Sequence, residues 1–504
     1  MRLSQLRPSR ADANPGVTDP ARPPAGDDPT RPPAGTDPEI TGLTADSRAV
    51  RPGFVFAALP GVKTDGRAFI ADALAKGAVA VLAAEGTALP AGSGAVLLTD
   101  PQPRLAFARM AAAFHGRQPG TVVAVTGTNG KTSTVQFAAQ IWERMGVAAA
   151  SLGTLGLLGP GLHGYGGMTT PDPVSLHRDL AAVKDAGIEH LAMEASSHGL
   201  EQFRLDGVAI TAAGFTNLTR DHLDYHGTME AYRDAKAMLF SRILPSGCAA
   251  VLNADSDHFH HFATICNERG HRVLSYGLAG TALRVTGVEP LAHGQRLALS
   301  VLGRDVTVDL PLAGRFQAWN VLCALGLVIG SGGDADRALG TLSSLEGVPG
   351  RLQHVATHPN GATVYVDFAH TPDALETVLL ALRSHAHRHL VTVFGCGGDR
   401  DRGKRPVMGG LAARLADRAI VTDDNPRTED PAFVRGEVLA GAPGRLEEIG
   451  DRAEAIRTAV RQLQPGDLLV IAGKGHEQGQ TIGTEVRPFD DADEARKAVA
   501  EVGA

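Results

Sequence analysis

The chain has 504 residues, 43 % of them hydrophobic and 20 % charged, which at roughly 100 to 200 residues per domain points to about three globular domains and excludes fibrous and wholly disordered classes. Its formal net charge of −7, from 48 Lys and Arg against 55 Asp and Glu, argues against broad binding of nucleic acid, so any anionic ligand must be held by local positive charge. The longest nearly uncharged apolar stretch, around Trp319 to Ile329, falls short of the roughly 18 to 20 residues that cross a bilayer. The cysteines Cys248, Cys266, Cys323 and Cys396 form no CxxC pair, so neither a disulfide framework nor a thiolate zinc site is expected and a reducing cytoplasm fits best.

Residues 1–38 are rich in proline and carry the tandem phrase DPARPPAGD, DPTRPPAGT. With almost no large apolar residue the segment cannot offset its ordering entropy and reads as a disordered tail, without the apolar centre of a secretory signal. Over 39–118 short apolar runs (FVFAAL, AVAVLAA, GAVLLT) alternate with Ala-rich helical stretches, the pattern of a small α/β domain. His115 to Gly120 reads as a linker. Residues 119–347 open with TVVAVTGTNGKTSTVQFAAQIW, strand then glycine loop then helix. In 348–504 the runs ATVYVDF, LVTVFGC, RAIVTDD and DLLVIAG alternate with helices, one of them started by Thr371-Pro372-Asp373, which indicates a parallel sheet of the dinucleotide-fold type. The expected fold class is α/β in three domains: a small N-terminal α/β domain, a central P-loop domain with a mostly parallel sheet, and a C-terminal Rossmann-like domain.

The loop Gly127, Thr128, Asn129, Gly130, Lys131, Thr132, Ser133 follows an apolar strand and opens a helix. Glycines let backbone N–H groups face phosphate, Lys131 adds a point charge, and the Thr132 hydroxyl can ligate Mg²⁺. Val125 stands where the longer form of this loop has glycine, so GTNGKT is a shorter variant. The run Ile188 to Met193 ends on Glu194, and acids just beyond a buried strand beside a phosphate loop commonly hold the bridging metal. A second strand, Ala209 to Thr216, leads into a polar cluster containing His222. Parallel strands end on one edge, so His222 should face Lys131. Lys236, in a helical stretch from Glu230 to Phe240, reads by itself as a solvated helix lysine.

TGTNGKT, EASSHGL, NLTRDHLDYH, AYRDAKAMLF, VDFAHTPDAL, GCGGDRDRGKRP, TDDNPR and AGKGHE occur in order across roughly 41–490. This combination resembles the Mur ligases, the ATP-dependent amino-acid-adding enzymes of peptidoglycan synthesis, and within them the MurE type acting on UDP-N-acetylmuramoyl-L-alanyl-D-glutamate. The resemblance implies three domains, for the UDP end of that substrate, for ATP with Mg²⁺, and for the incoming amino acid. It places Ser47, Val62, Lys63 and Thr64 at the uridine diphosphate, and Thr169, Thr170, Ser196, Gln202 and Arg204 at the sugar-peptide. It puts Asn320, Arg351, Asp367 and His370 around the nucleotide, and Lys236 at the family's carbamylated lysine, which would join Thr132, Glu194 and His222 as a metal ligand. The catalytic set implied is Lys131, Glu194, His222 and Lys236. Gln317 and Phe368 depart from the Asn and Tyr usual in the family. A monomer without membrane span is expected.

Asp424-Asn425-Pro426-Arg427 resembles the signature of family members that add diaminopimelate rather than lysine. Arg400, Asp424, Asn425, Pro426, Arg427, Gly473 and Glu477 lie in loops after three strands of one sheet and should meet at its carboxyl edge. Two guanidinium groups suit the far carboxylate of diaminopimelate and Glu477 its ammonium. Lysine lacks that carboxylate and would leave guanidinium unpaired. A lysine-adding or folylpolyglutamate-type ligase is the nearest rival, and DNPR with EASSHGL and TTPD weighs against both; an ATP-regulated binding module is opposed by the joint presence of Arg400, Arg427 and Glu477, and a P-loop motor or transporter subunit lacks a membrane-facing or coupling segment.

Overall fold

The computed structural model describes residues 1–6, 37–61, 64–164, 167–291 and 294–503. Val62, Lys63 and residues 7–36, the bulk of the expected tail, lie outside the described residues. Three α/β domains with mainly parallel sheets are present. The chain packs as two compact units, Met1–Arg284 with Leu322–Leu339, and Val285–Val321 with Gly340–Ala504. Residues 285–321 pack with the second unit although they precede the boundary expected between 347 and 348. They include the antiparallel pair Gly294–Val301 and Arg304–Leu310, whose buried and exposed residues alternate. That alternation announces a hairpin with one covered face, but not which domain covers it.

In the first unit, the strands Gly42–Thr44, Phe54–Ala58, Ala80–Ala83 and Val96–Thr99 form a four-stranded parallel sheet in that order. The helix Pro103–His115 buries Phe107, Met110 and Ala111 against it. The first residues correct the reading of 1–38 as a tail. Leu3–Leu6 forms a short 3₁₀ turn whose two leucines are fully buried in this domain's core. Leu3 N–H donates to Pro38 O at 3.0 Å, and Ser4 Oγ donates to Asp37 at 2.8 Å. Residues three apart eclipse on such a turn, so Leu3 and Leu6 present one apolar face that the composition of the whole segment conceals. Leu6→Ala should cost the domain about 2–4 kcal/mol, read as a lower urea midpoint; an unchanged midpoint would mean the pair does not pack.

Within the eleven-stranded sheet, the strands of the first unit include, in order, Arg272–Gly277, Ala249–Asn253, Ile210–Phe215, Thr121–Thr126, His190–Glu194, Ala149–Gly153, all parallel, followed by an antiparallel hairpin from Gly156 to His163. Strands buried along their length, such as Thr121–Thr126 and His190–Glu194, need helices on both faces, and parallel order forces the crossovers that supply them. Thr121–Thr126 lies between Ile210–Phe215 and His190–Glu194, so the phosphate loop, the Glu194 turn and the Asn217 loop leave one edge side by side.

In the second unit, six strands are ordered Gln353–Thr357, Thr363–Asp367, Leu468–Ala472, Leu390–Phe394, Arg418–Val421, Glu447–Glu448. All but the first are parallel. The helix Pro372–Arg383 starts as expected, with Thr371 Oγ1 accepting from Ala374 N–H and Pro372 in the first turn. Among the described residues no helix is long and apolar enough to cross a membrane.

Candidate active site

The first unit carries the phosphate loop. Gly127 adopts φ +149°, and a Cβ there would stand 1.9 Å from Thr216 Oγ1, so only glycine fits. Gly130 at φ +87° leads directly into the helix Lys131–Arg144, whose first turn buries Thr132 and Ser133. The loop's shape is held from outside. Thr128 N–H donates to Asn217 O and Asn129 N–H to Asn217 Oδ1, both at 2.9 Å, while Thr216 Oγ1 donates to Asn129 O at 2.6 Å.

Two lysines converge on one carbonyl of this loop. Lys131 Nζ donates to Gly127 O at 3.0 Å and to Thr128 O at 2.9 Å, and Lys236 Nζ donates to the same Gly127 O at 2.7 Å. Lys236 is 1 % exposed, so the reading of a solvated helix lysine is corrected. It lies one helical turn beyond Tyr232, 4.3 Å from that ring's centre. Burial, reinforced by the Lys131 cation, pushes its amine well below the ordinary lysine value.

Glu194 ends its strand 1 % exposed. Its Oε1 accepts from Thr132 Oγ1 at 3.0 Å and from Thr154 N–H at 2.8 Å. A carboxylate touching a hydroxyl is a hard oxygen pair that suits Mg²⁺, which takes one or two carboxylates and completes its shell with phosphate and water. Among the described residues no three His, Cys, Asp or Glu side chains gather to hold a metal; the expected set has only two such residues, Glu194 and His222. His222 heads the short helix Leu223–His226 at φ +51°. Its ring lies 4.9 Å from His198 and 6.1 Å from Tyr232, and the Tyr232 hydroxyl is 3.3 Å from Thr128 Oγ1. His222 and Lys236 thus share a wall built on Tyr232.

The residues expected at the sugar-peptide form one connected set. Thr170 Oγ1 donates to Glu194 O at 2.9 Å and accepts from Ser196 N–H at 3.0 Å. Arg204 donates to Thr170 O and to Gln202 Oε1, both at 2.8 Å. Thr169 Oγ1 is 3.2 Å from Thr154 Oγ1, which carries it to Glu194. Ser47 and Thr64 belong to the N-terminal domain, where Ser47 is buried and its carbonyl accepts from Lys76 Nζ at 3.0 Å.

The second unit holds the remaining candidates. Gln317 Nε2 donates to Arg351 O and accepts at Oε1 from Asn320 Nδ2, both at 3.0 Å; its extra methylene relative to Asn is what reaches the Arg351 carbonyl. Asp367 accepts from Leu352 N–H at 2.6 Å and Ala369 N–H at 2.7 Å, and burial lifts its carboxyl to about 6 against the pull of Arg351. The Phe368 ring packs 4.6 Å from the Arg351 guanidinium, 4.6 Å from His370 and 5.2 Å from His476. Asn320, Arg351, Asp367 and His370 therefore cluster, with Phe368 keeping an aromatic face without a hydroxyl.

Three neighbouring parallel strands, Leu468–Ala472, Leu390–Phe394 and Arg418–Val421, deliver the loops of the amino-acid candidates to one edge. A Cβ on Gly397 would lie 2.7 Å from an Arg427 nitrogen and 3.8 Å from Arg400 Cγ, so the two arginines flank that glycine. Arg427 donates to Gly398 O at 2.8 Å with φ at +51°. Asn425 Nδ2 donates to Glu477 Oε2 at 2.9 Å, which brings the acid beside the arginine loop. Asp424 is buried, and its Oδ2 would meet a Cβ on Gly473 at 2.6 Å; Pro426 O closes in the same way on Gly398. Behind them Arg405, fully buried, bonds Glu429 at 2.8 Å and Glu437 at 2.6 Å, and Glu429 accepts from Asp399 N–H at 2.6 Å, strapping one arginine loop to the other. One member escaped sequence reasoning. Lys474, between two glycines, is fully buried with its Nζ 3.0 Å from Glu477 Oε2; its only signal is that a lysine inside so tight a loop must be paired.

The chain matches the Mur ligase family catalytic domain over residues 39–115, the Mur ligase middle domain over 125–328 and the Mur ligase glutamate ligase domain over 350–475. It is 53 % identical over 471 residues to the UDP-N-acetylmuramoyl-L-alanyl-D-glutamate–2,6-diaminopimelate ligase of Caulobacter vibrioides, covering 92 % of this chain and 96 % of that one. The enzyme of the same name from Mesorhizobium japonicum is 52 % identical over 463 residues, 92 % of this chain and 95 % of its own. A solved structure of a ligase so named superposes with a TM-score of 0.70 at 36 % identity, covering 92 % of this chain and 96 % of the other. With such identity sustained across all three domains, this chain belongs to the Mur ligase family.

Proposed function

We propose that the chain is an ATP-dependent ligase that joins diaminopimelate to the D-glutamate of UDP-N-acetylmuramoyl-L-alanyl-D-glutamate, in the cytoplasm where ATP and the nucleotide-linked precursor are at hand. The γ-phosphoryl group of ATP passes to the glutamate side-chain carboxylate, ADP leaves, and the acyl phosphate is attacked by the neutral amine of diaminopimelate. An amide forms, phosphate departs, and the amine gives up a proton. The GTNGKT loop turns N–H groups and Lys131 toward the phosphates, where they offset charge on the transferred group. Mg²⁺, held by Thr132 and Glu194 with His222 and a carbamylated Lys236 as further donors, would supply positive charge to the phosphate oxygens. Lys236 suits that modification because burial lowers its amine well below the ordinary lysine value, and a carbamate would turn a cation beside the phosphate loop into an anion able to ligate Mg²⁺. Arg204 and Gln202, tied to Thr170 and Ser196, orient the sugar-peptide.

The observation that carries the reading is the two-signed receptor of the second unit: Arg400 and Arg427 around Gly397, with Glu477 joined to them through Asn425. It matches a head group bearing both carboxylate and ammonium. The relatives' shared name supports the same substrate pair. The test is phosphate release from ATP with UDP-muramoyl-dipeptide and either meso-diaminopimelate, LL-diaminopimelate or L-lysine. Diaminopimelate should be preferred over lysine by about 100-fold or more in kcat/KM. Equal use of lysine, or no release with any of the three, would overturn the reading.

A further inference from the structure

Lys474 has no place in the reaction just described, yet it is the most enclosed cation of the second unit's receptor. Its side chain is fully buried, and its Nζ donates to Glu477 Oε2 at 3.0 Å and to Asn425 Oδ1 at 3.2 Å. Asn425 closes the triangle, since its Nδ2 donates to the same Glu477 oxygen at 2.9 Å. The Asn425 Oδ1 is held again by Thr481 N–H at 2.8 Å. One oxygen of Glu477 thus carries two donors, and the rest of its carboxylate, 38 % exposed as a side chain, faces out. The nearby buried guanidinium of Arg452 is not available to share the task, because Asp491 takes it in a fully buried pair at 2.7 Å.

We infer that Lys474 is a positioning and specificity-determining residue for the amino-acid substrate. It fixes Glu477 and Asn425 in one arrangement and pairs the acid with a cation before substrate arrives. The consequence is selective. An amino acid that offers only a far ammonium meets an acid already paired and gains little. One that also offers a far carboxylate gains from Arg400, Arg427 and the Lys474 charge behind them. Arg400, Arg427 and Lys474 give a far carboxylate cationic partners that a bare ammonium cannot use, so a zwitterionic head is favoured.

This rests on the ligase reading above, and the two fail differently. If the wild-type chain releases no phosphate with diaminopimelate, that reading falls. If the wild type is active, Lys474→Met decides the inference. The variant should raise the KM for diaminopimelate about 30-fold and cut the preference for diaminopimelate over lysine about tenfold, with the KM for ATP within about twofold. Lys474→Arg, which keeps a buried cation, should recover part of the preference. An active Lys474→Met with unchanged KM and preference would overturn the inference, as would equal rises in KM for all three substrates, the mark of a general structural role. Should Lys474→Met fail to fold, Lys474→Gln retains a donor to Glu477 without the charge and carries the same readout. Loss of folding in both would make Lys474 a structural counterion and overturn the inference as well.

Discussion

Lys131→Ala should lower turnover about a thousandfold while the protein stays folded, since removing one preorganised charge from a developing anionic centre costs on the order of 10²–10³ in rate and the loop lysine faces the most charged group in the reaction. Folding should survive because, although Lys131 donates to the Gly127 and Thr128 carbonyls, the loop has other anchors. Asn217 and Thr216 pin Thr128 and Asn129 from the neighbouring strand end. Removing the Lys131 cation also relieves the repulsion that helps depress Lys236. Burial remains the larger cause, so the Lys236 amine should rise only part of the way to its ordinary value. The measurement is steady-state phosphate release beside thermal melting. Turnover within tenfold of wild type, in a protein that melts normally, would remove the loop from the chemistry.

The phosphate loop was readable because its chemistry is local: glycine, lysine and threonine act within six residues of a strand end. The meeting of Glu194 and the Asn217 loop with it was readable for another reason, that parallel strands deliver their ends to one edge. Lys236 was not read as buried, because a lone lysine on a helix is most often solvated. The pattern was nevertheless present, since Tyr232, Lys236 and Phe240 recur every four residues and all three are buried on one face. Leu3 and Leu6 disappeared into a segment judged by its proline content. The allegiance of residues 285–321 could not be read at all, because a hairpin's alternation says that a face is covered and leaves the covering element to the tertiary fold. Lys474 belongs to the same class. Its meaning lies in Asn425 and Glu477, one of them 49 positions away.

Arg427→Ala should collapse the choice of amino acid. A planar guanidinium bound to a carboxylate forms charge-assisted, often paired hydrogen bonds, each contributing on the order of 1.5–3 kcal/mol. The kcat/KM for diaminopimelate should therefore fall about 100- to 1,000-fold. Lysine has no group for this guanidinium to bind, so its use should change by no more than a few-fold and the ratio between the two should drop almost as far as the diaminopimelate value. The fold should be little affected. Arginine and alanine are both disfavoured at φ +51°, and the loop is retained by Arg427 N–H donating to Thr481 O at 3.1 Å and Gly483 N–H donating to Arg427 O at 2.7 Å, both backbone contacts. Arg427→Lys keeps the charge without the fork and should restore only part of the preference. Arg400, exposed and reaching Gly397 only through its stem, should matter less, because ordering a free side chain on binding subtracts from what its contact contributes. Competition between meso-diaminopimelate and L-lysine, followed by mass analysis of the products, reads the ratio directly. An Arg427→Ala enzyme that still rejects lysine as the wild type does would move the recognition of the far carboxylate to Arg400.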